Sequence, residues 1–113
     1  MFSCQSWETL EVTATAYNSV EAQTKKGDPF TAAWGDKLEP GMKAIAVSRD
    51  LLHEYGLDYN TKVKINGLPG TYRVIDKMNK RWKKRIDIYM GNDIQKAREW
   101  GKQQVEISWI AGN

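Results

Sequence analysis

The sequence predicts a mainly β protein, a small closed barrel of six short strands carrying two short helices. Three observations predict it. Apolar residues recur with a period of two in several separate stretches, as they must where one face of a strand is buried. Turn-forming pairs such as Asn66-Gly67 and Pro69-Gly70 punctuate those stretches at short intervals. Many short strands of this kind suit a closed barrel better than a doubly wound sheet.

The elements follow in order. Leu10, Val12, Ala14 and Ala16 alternate with Glu11, Thr13, Thr15 and Tyr17, which defines a first strand. A long polar segment, from Asn18 to about Lys43, holds the turn signals Gly27-Asp28-Pro29, Gly35-Asp36 and Pro40-Gly41. A connection this long in a compact domain is expected to line a binding site. Ala44 to Val47 is a small apolar strand, and Ser48 is placed to cap a helical turn from Arg49 to Tyr55. Thr61 to Ile65 and Thr71 to Ile75 are two strands joined by the five-residue hairpin Asn66-Gly67-Leu68-Pro69-Gly70. Arg85 to Tyr89 is the next strand. Asn92 then opens a helix, with Gln95 at the capping-box position and Gly101 as its stop. Val105, Ile107 and Trp109 make the last strand. Residues 1–9 read as a tail and 10–110 as the barrel domain.

Composition narrows the function. At 113 residues, with 41% apolar and 27% charged side chains, the chain is one globular domain able to fold without staples. Its single cysteine excludes a disulfide within the chain and a cysteine metal site. Its single histidine, His53, lies in an amphipathic stretch with no histidine partner, which argues against a Ser-His-Asp triad or a zinc site. No metal or cofactor is called for. The net charge of +3 suits an anionic polymer without choosing one. Five Trp and five Tyr are many for this length, and such rings serve either as core or as sugar platforms. No apolar run approaches the length of a membrane-spanning helix. Phe2-Ser3-Cys4-Gln5 matches the end of a bacterial lipoprotein signal, which would make Cys4 a lipid anchor; an ordinary unpaired cysteine is the alternative.

Two carboxylates stand out. Asp87 sits between Ile86 and Ile88, so the isoleucines share the buried face and Asp87 and Tyr89 point the other way. Tyr72-Arg73-Val74-Ile75 runs straight into Asp76. Two carboxylates fixed by strand backbone are placed to converge on one cleft.

Taken in order, the pieces resemble a known family. They are Val12-Thr13-Ala14-Thr15-Ala16-Tyr17, Thr31 and Gly35, Pro40 to Val47, Thr61 to Ile65, Asp76, Ile86-Asp87-Ile88-Tyr89, and Ala97 with Trp100-Gly101. This series, spanning residues 11–109, resembles the bacterial 3D domain, named for three aspartates. It is similar to the catalytic barrel of MltA-type lytic transglycosylases. The resemblance implies a six-stranded double-psi β-barrel that cleaves the β-1,4 bond between N-acetylmuramic acid and N-acetylglucosamine in peptidoglycan. Asp87 matches the family's catalytic acid, and Asp76 its second aspartate, orienting substrate or tuning Asp87. A carboxyl beside buried isoleucines and a second carboxylate would tend towards a raised pKa.

The first family aspartate is replaced by Ser48, with Asp50 two residues on. The threonine and paired glycines that usually follow the second aspartate give way to Lys77-Met78-Asn79-Lys80-Arg81-Trp82-Lys83-Lys84-Arg85. Thr15, Tyr17, Ser48 and Tyr89 are assigned to the substrate groove. Lys77, Arg81 and Trp82 are assigned to a clamp for anionic groups, with Trp82 stacking on a sugar face. The expected partner is the glycan strand of peptidoglycan, met by a monomer in the bacterial cell envelope. A glycan-binding barrel without turnover is the alternative. A nucleic-acid-binding barrel is a distant third, supported only by the Lys/Arg run around Trp82, and no nucleic-acid partner is expected.

Overall fold

The computed structural model describes residues 6–18 and 41–111. The expectations for Cys4, Thr31, Gly35 and the turns between residues 19 and 40 fall outside them. Six strands and two helices are present among the described residues: β1 (Ser6–Tyr17), β2 (Ala44–Val47), α1 (Arg49–Glu54), β3 (Lys62–Ile65), β4 (Tyr72–Lys77), β5 (Arg85–Tyr89), α2 (Ile94–Trp100) and β6 (Gln103–Ala111). The strands close in the order β1-β5-β2-β4-β3-β6, with β6 returning to β1. Pairs β1–β5 and β2–β4 are parallel and flank the antiparallel β2–β5 contact. This is a six-stranded double-psi β-barrel.

Alternation builds the core as the period of two requires. Val12 and Ala14, Ile45 and Val47, Val63 and Ile65, Ile86 and Ile88, and Ile107 and Trp109 all point inward. Leu51, Leu52 and Leu57 from α1 and the turn after it pack against the same cluster. Each fully buried aliphatic side chain of this size contributes about 1.5–3 kcal/mol relative to exposure. Outside the barrel wall lies a second, smaller apolar cluster of Tyr17, Ala44, Ile75 and Tyr89, with Met42 against it.

Several boundaries differ from expectation for physical reasons. β1 starts at Ser6 rather than Leu10 because β6 runs alongside it to the pair Ser6↔Ala111, 105 residues apart in sequence. β4 continues through Asp76 to Lys77, so Asp76 is a strand residue. The second helix is capped by Asp93, one residue past Asn92: its side chain accepts from the Lys96 N–H at 2.8 Å. Gln95 bonds forward to Glu99 at 3.0 Å instead of closing a capping box. Gly101 ends α2 at φ +64°, a backbone state costly for residues with a Cβ.

Candidate functional site

Pairing register assembles the site. On β1 and β5, Thr15 lies opposite Asp87. Across the next seam Asp87 lies opposite Ala46 of β2, and beyond that Ala46 lies opposite Asp76 of β4. Thr15, Asp87, Ala46 and Asp76 therefore form one row across four adjacent strands. Neighbouring strands are about 4.8 Å apart, so the two aspartates stand about 10 Å apart at the backbone, with only the methyl group of Ala46 between. The sequence pattern brought out the two aspartates, whereas Ala46 was not singled out. Ala46 is itself buried.

A bulge aims Asp76. Strict alternation from Val74 would send Asp76 into the apolar core, where an unpaired carboxylate is costly. The pairing steps instead from Ile45↔Val74 to Ala46↔Asp76, leaving Ile75 as the extra residue. Ile75 then fills the outer cluster and Asp76 comes level with Asp87. Asp76 is only 7% exposed, and its Oδ1 accepts from the Lys77 N–H at 2.9 Å.

Thr15 serves Asp87 directly. Its Oγ1 lies 3.1 Å from Asp87 Oδ1 and 3.4 Å from the Ile86 carbonyl oxygen. A hydroxyl has one proton and can accept as well as donate. It donates to Asp87 when the carboxylate is ionised. When Asp87 is protonated, the hydroxyl can turn to the Ile86 carbonyl and accept from the acid. Both protonation states of Asp87 find a partner without backbone movement. Trp100 braces this segment of β1, donating from Nε1 to the Ala14 carbonyl at 3.2 Å.

Tyr17 and Tyr89 pair one step along the same face, two residues beyond Thr15 and Asp87. Their rings are 5.3 Å apart and tilted by 47°. Both are almost fully buried, so they wall the site rather than offer an open platform. Burial, then the negative charges of Asp76 and Asp87, then Tyr89, push the Tyr17 hydroxyl far above its ordinary range. Tyr17 is a neutral phenol in the field of both carboxylates.

Ser48 does not cap α1 as expected, and it works together with Asp50. Ser48 is fully buried and makes no side-chain cap to α1. Its Oγ accepts from the Arg85 N–H at 3.0 Å, while its own N–H donates to the Arg85 carbonyl at 2.8 Å. Asp50 Oδ2 accepts from the Lys84 N–H at 2.9 Å. Ser48 is thus committed to the backbone of Arg85, and Asp50 to that of Lys84. Together they fasten the start of β5, and through it Asp87.

Asp50 also links stability to pH. Burial acts to raise its carboxyl, but the Ser48 hydroxyl, the Lys84 N–H and the N–H groups of Asp50 and Leu51 outweigh that and hold it below the ordinary value. A depressed carboxylate contributes stability above its unfolded pKa and loses it as pH falls through the lower folded value. Asp50→Ala is expected to cost about 1–3 kcal/mol at neutral pH, with the gap closing in acid. Urea unfolding of both proteins at several pH values measures it.

The segment between β4 and β5 carries the basic run. Arg81 and Arg85 place their guanidinium carbons 4.6 Å and 3.9 Å from the centre of the Trp82 ring. Trp82 is therefore already engaged by two of the cations that surround it in the sequence. Arg85, the last residue of the basic run, shares the outer face of β5 with Asp87 and Tyr89. Lys77 and Arg81 are exposed beside the row.

Among the described residues no group of three His, Cys, Asp or Glu side chains is placed to hold a metal. Nor is any helix there long and apolar enough to cross a membrane.

The fold is similar to that of an expansin from Clavibacter michiganensis, in a crystal structure of the apo protein, with a TM-score of 0.57 and 15% sequence identity. The match covers 94% of this chain and 52% of the expansin, so the chain spans about half that protein's length. At this identity the likeness is one of fold alone. No protein-family model matches the chain, and no curated protein matches it. The 3D-domain resemblance therefore rests on the motifs quoted above.

Proposed function

We propose that this chain cleaves peptidoglycan as a lytic transglycosylase-type glycosidase of the cell envelope, with Asp87 as the general acid and base. The observation that carries this reading is the row Thr15–Asp87–Ala46–Asp76, in which two strand-fixed carboxylates flank a small residue. Bond cleavage by intramolecular attack needs one carboxyl that gives up a proton and then takes one back. Protonated Asp87 donates to the glycosidic oxygen as the bond from the muramyl anomeric carbon to that oxygen breaks. The muramyl 6-hydroxyl then bonds to the same carbon, and its proton returns to the Asp87 carboxylate. No water is consumed, and the product ends in a 1,6-anhydro ring. Thr15 steadies Asp87 in both states. Asp76 accepts hydrogen bonds from the sugar, and the buried, neutral phenol of Tyr17 backs the two carboxylates without reaching the substrate.

A second reading, a glycan-binding barrel without turnover, is favoured by one observation. The position of the family's first aspartate is occupied by a buried serine committed to the backbone of Arg85. The expansin likeness, being one of fold, leaves turnover open. A suspension of purified sacculi separates the two. A fall in turbidity with the wild-type protein supports cleavage. Co-sedimentation of the protein with sacculi that stay intact supports the binding module.

A further inference from the structure

The chain's positive charge has one source. Residues 77–85 hold six of its 17 cationic side chains and no acidic one, leaving the rest with 11 cations against 14 carboxylates. Among the described residues no carboxylate ion-pairs with Lys77, Lys80, Arg81, Lys83, Lys84 or Arg85. An uncompensated cluster this dense repels itself, which disfavours the folded state unless something anionic meets it.

The segment is also held in shape, unlike an ordinary solvated lysine run. At its start the Met78 N–H donates to the Val47 carbonyl at 2.9 Å, and Arg49 Nε donates to the Met78 carbonyl at 3.2 Å. In the middle, Asn79 accepts from the Arg81 N–H through Oδ1 at 3.0 Å and from the Trp82 N–H through its carbonyl at 3.1 Å. At its end the backbone of Lys84 and Arg85 is tied to Asp50, Ser48 and the Thr13 N–H. Trp82 lies against two guanidinium groups, and Arg85 Nε is buried without a hydrogen-bond acceptor among the described residues. A backbone and an arginine pair held in this way lose little freedom on meeting an anion.

Position decides what the cluster is for. It connects the two aspartates of the row directly, running from Lys77, next to Asp76, to Arg85, two residues before Asp87. Arg85 and Asp87 lie on one strand face, about 7 Å apart along the chain. We propose that the β4–β5 segment is an anion clamp that grips carboxylate or phosphate oxygens on a wall glycan beside the bond presented to Asp87. This rests on the glycan reading above and adds that the favoured substrate is an anionic glycan. A nucleic acid is the poorer fit, because a phosphate backbone along this segment would meet Asp76 and Asp87 at its two ends.

The test measures binding, not cleavage. Asp87→Asn protein is co-sedimented with purified sacculi at about 0.05 M and about 0.5 M salt, alone and with Lys80→Glu/Lys83→Glu added. Both lysines are exposed, and Lys80→Gln/Lys83→Gln with a thermal melt confirms an intact fold. The expected result is about tenfold weaker binding for the charge-reversed protein, with a similar loss for the parent at high salt. Sacculi stripped of phosphate polymers and sacculi trimmed of stem peptides then tell phosphate from carboxylate; loss of binding to either supports the clamp. Unchanged binding of the charge-reversed protein to untreated sacculi overturns it, as does tighter binding of the parent to single-stranded DNA than to glycan. Cleavage of sacculi by the wild-type protein, together with clamp-independent binding of the Asp87→Asn protein, sinks this inference alone. Clamp-dependent binding of the Asp87→Asn protein, with no cleavage by the wild-type protein, sinks the transglycosylase reading alone.

Discussion

Asp87→Asn is expected to reduce the release of soluble muropeptides by at least about a thousandfold while leaving binding to sacculi and the melting temperature close to wild type. The amide has the shape of the carboxyl but neither delivers nor takes up a proton at working pH. Asp87 is half-buried, and Asn at 87 still accepts the hydrogen bond that Thr15 Oγ1 makes to Oδ1 at 3.1 Å. The packing of Ile86 and Ile88 beneath it is untouched. Time courses of muropeptide release, beside co-sedimentation of the same preparations, check the split. A variant that lost binding in step with release would mark Asp87 as a contact residue instead of the acid.

Thr15 gives the second large effect. Thr15→Val keeps the volume and β-branched shape of the strand residue but removes the hydroxyl from Asp87 and from the Ile86 carbonyl. A hydrogen bond to a charged group is worth about 1.5–3 kcal/mol, so kcat is expected to fall by about 10- to 100-fold with KM little changed. Thr15→Ser restores the hydroxyl and is expected to recover most of the loss. A purely structural role predicts the opposite order, because Val suits a strand better than Ser does. Steady-state kinetics of the three proteins on soluble glycan fragments decides between them.

Much of this architecture was legible because strands announce themselves locally. The alternation of Val12 and Ala14 with Thr13 and Thr15, and of Ile86 and Ile88 with Asp87, is enough to assign faces before any partner strand is known. The row itself was only half legible. That Asp87 faces outward follows from its neighbours. That Asp76 faces the same way depends on the bulge at Ile75, a matter of register against β2 that carries no local signature. The one hint was a carboxylate where alternation demanded an apolar residue.

Ser48 shows the same limit. It stands at the cap position of α1, which is all that local sequence can say, yet its hydroxyl goes to Arg85, 37 residues away. That cations surround Trp82 is plain from the sequence, but that Arg81 and Arg85 stack on it depends on a turn whose shape is set by Asn79. The start of β1 was missed because Ser6 and Trp7 owe their strand conformation to β6 at the other end of the chain.

The role of Asp87 is decided by mass spectrometry of the soluble products released from purified sacculi by the wild-type protein, beside the Asp87→Asn protein. Muropeptides ending in 1,6-anhydro-N-acetylmuramic acid are expected from the wild type and none from the variant. Equal release of such products by both proteins, or none by either, would contradict that role.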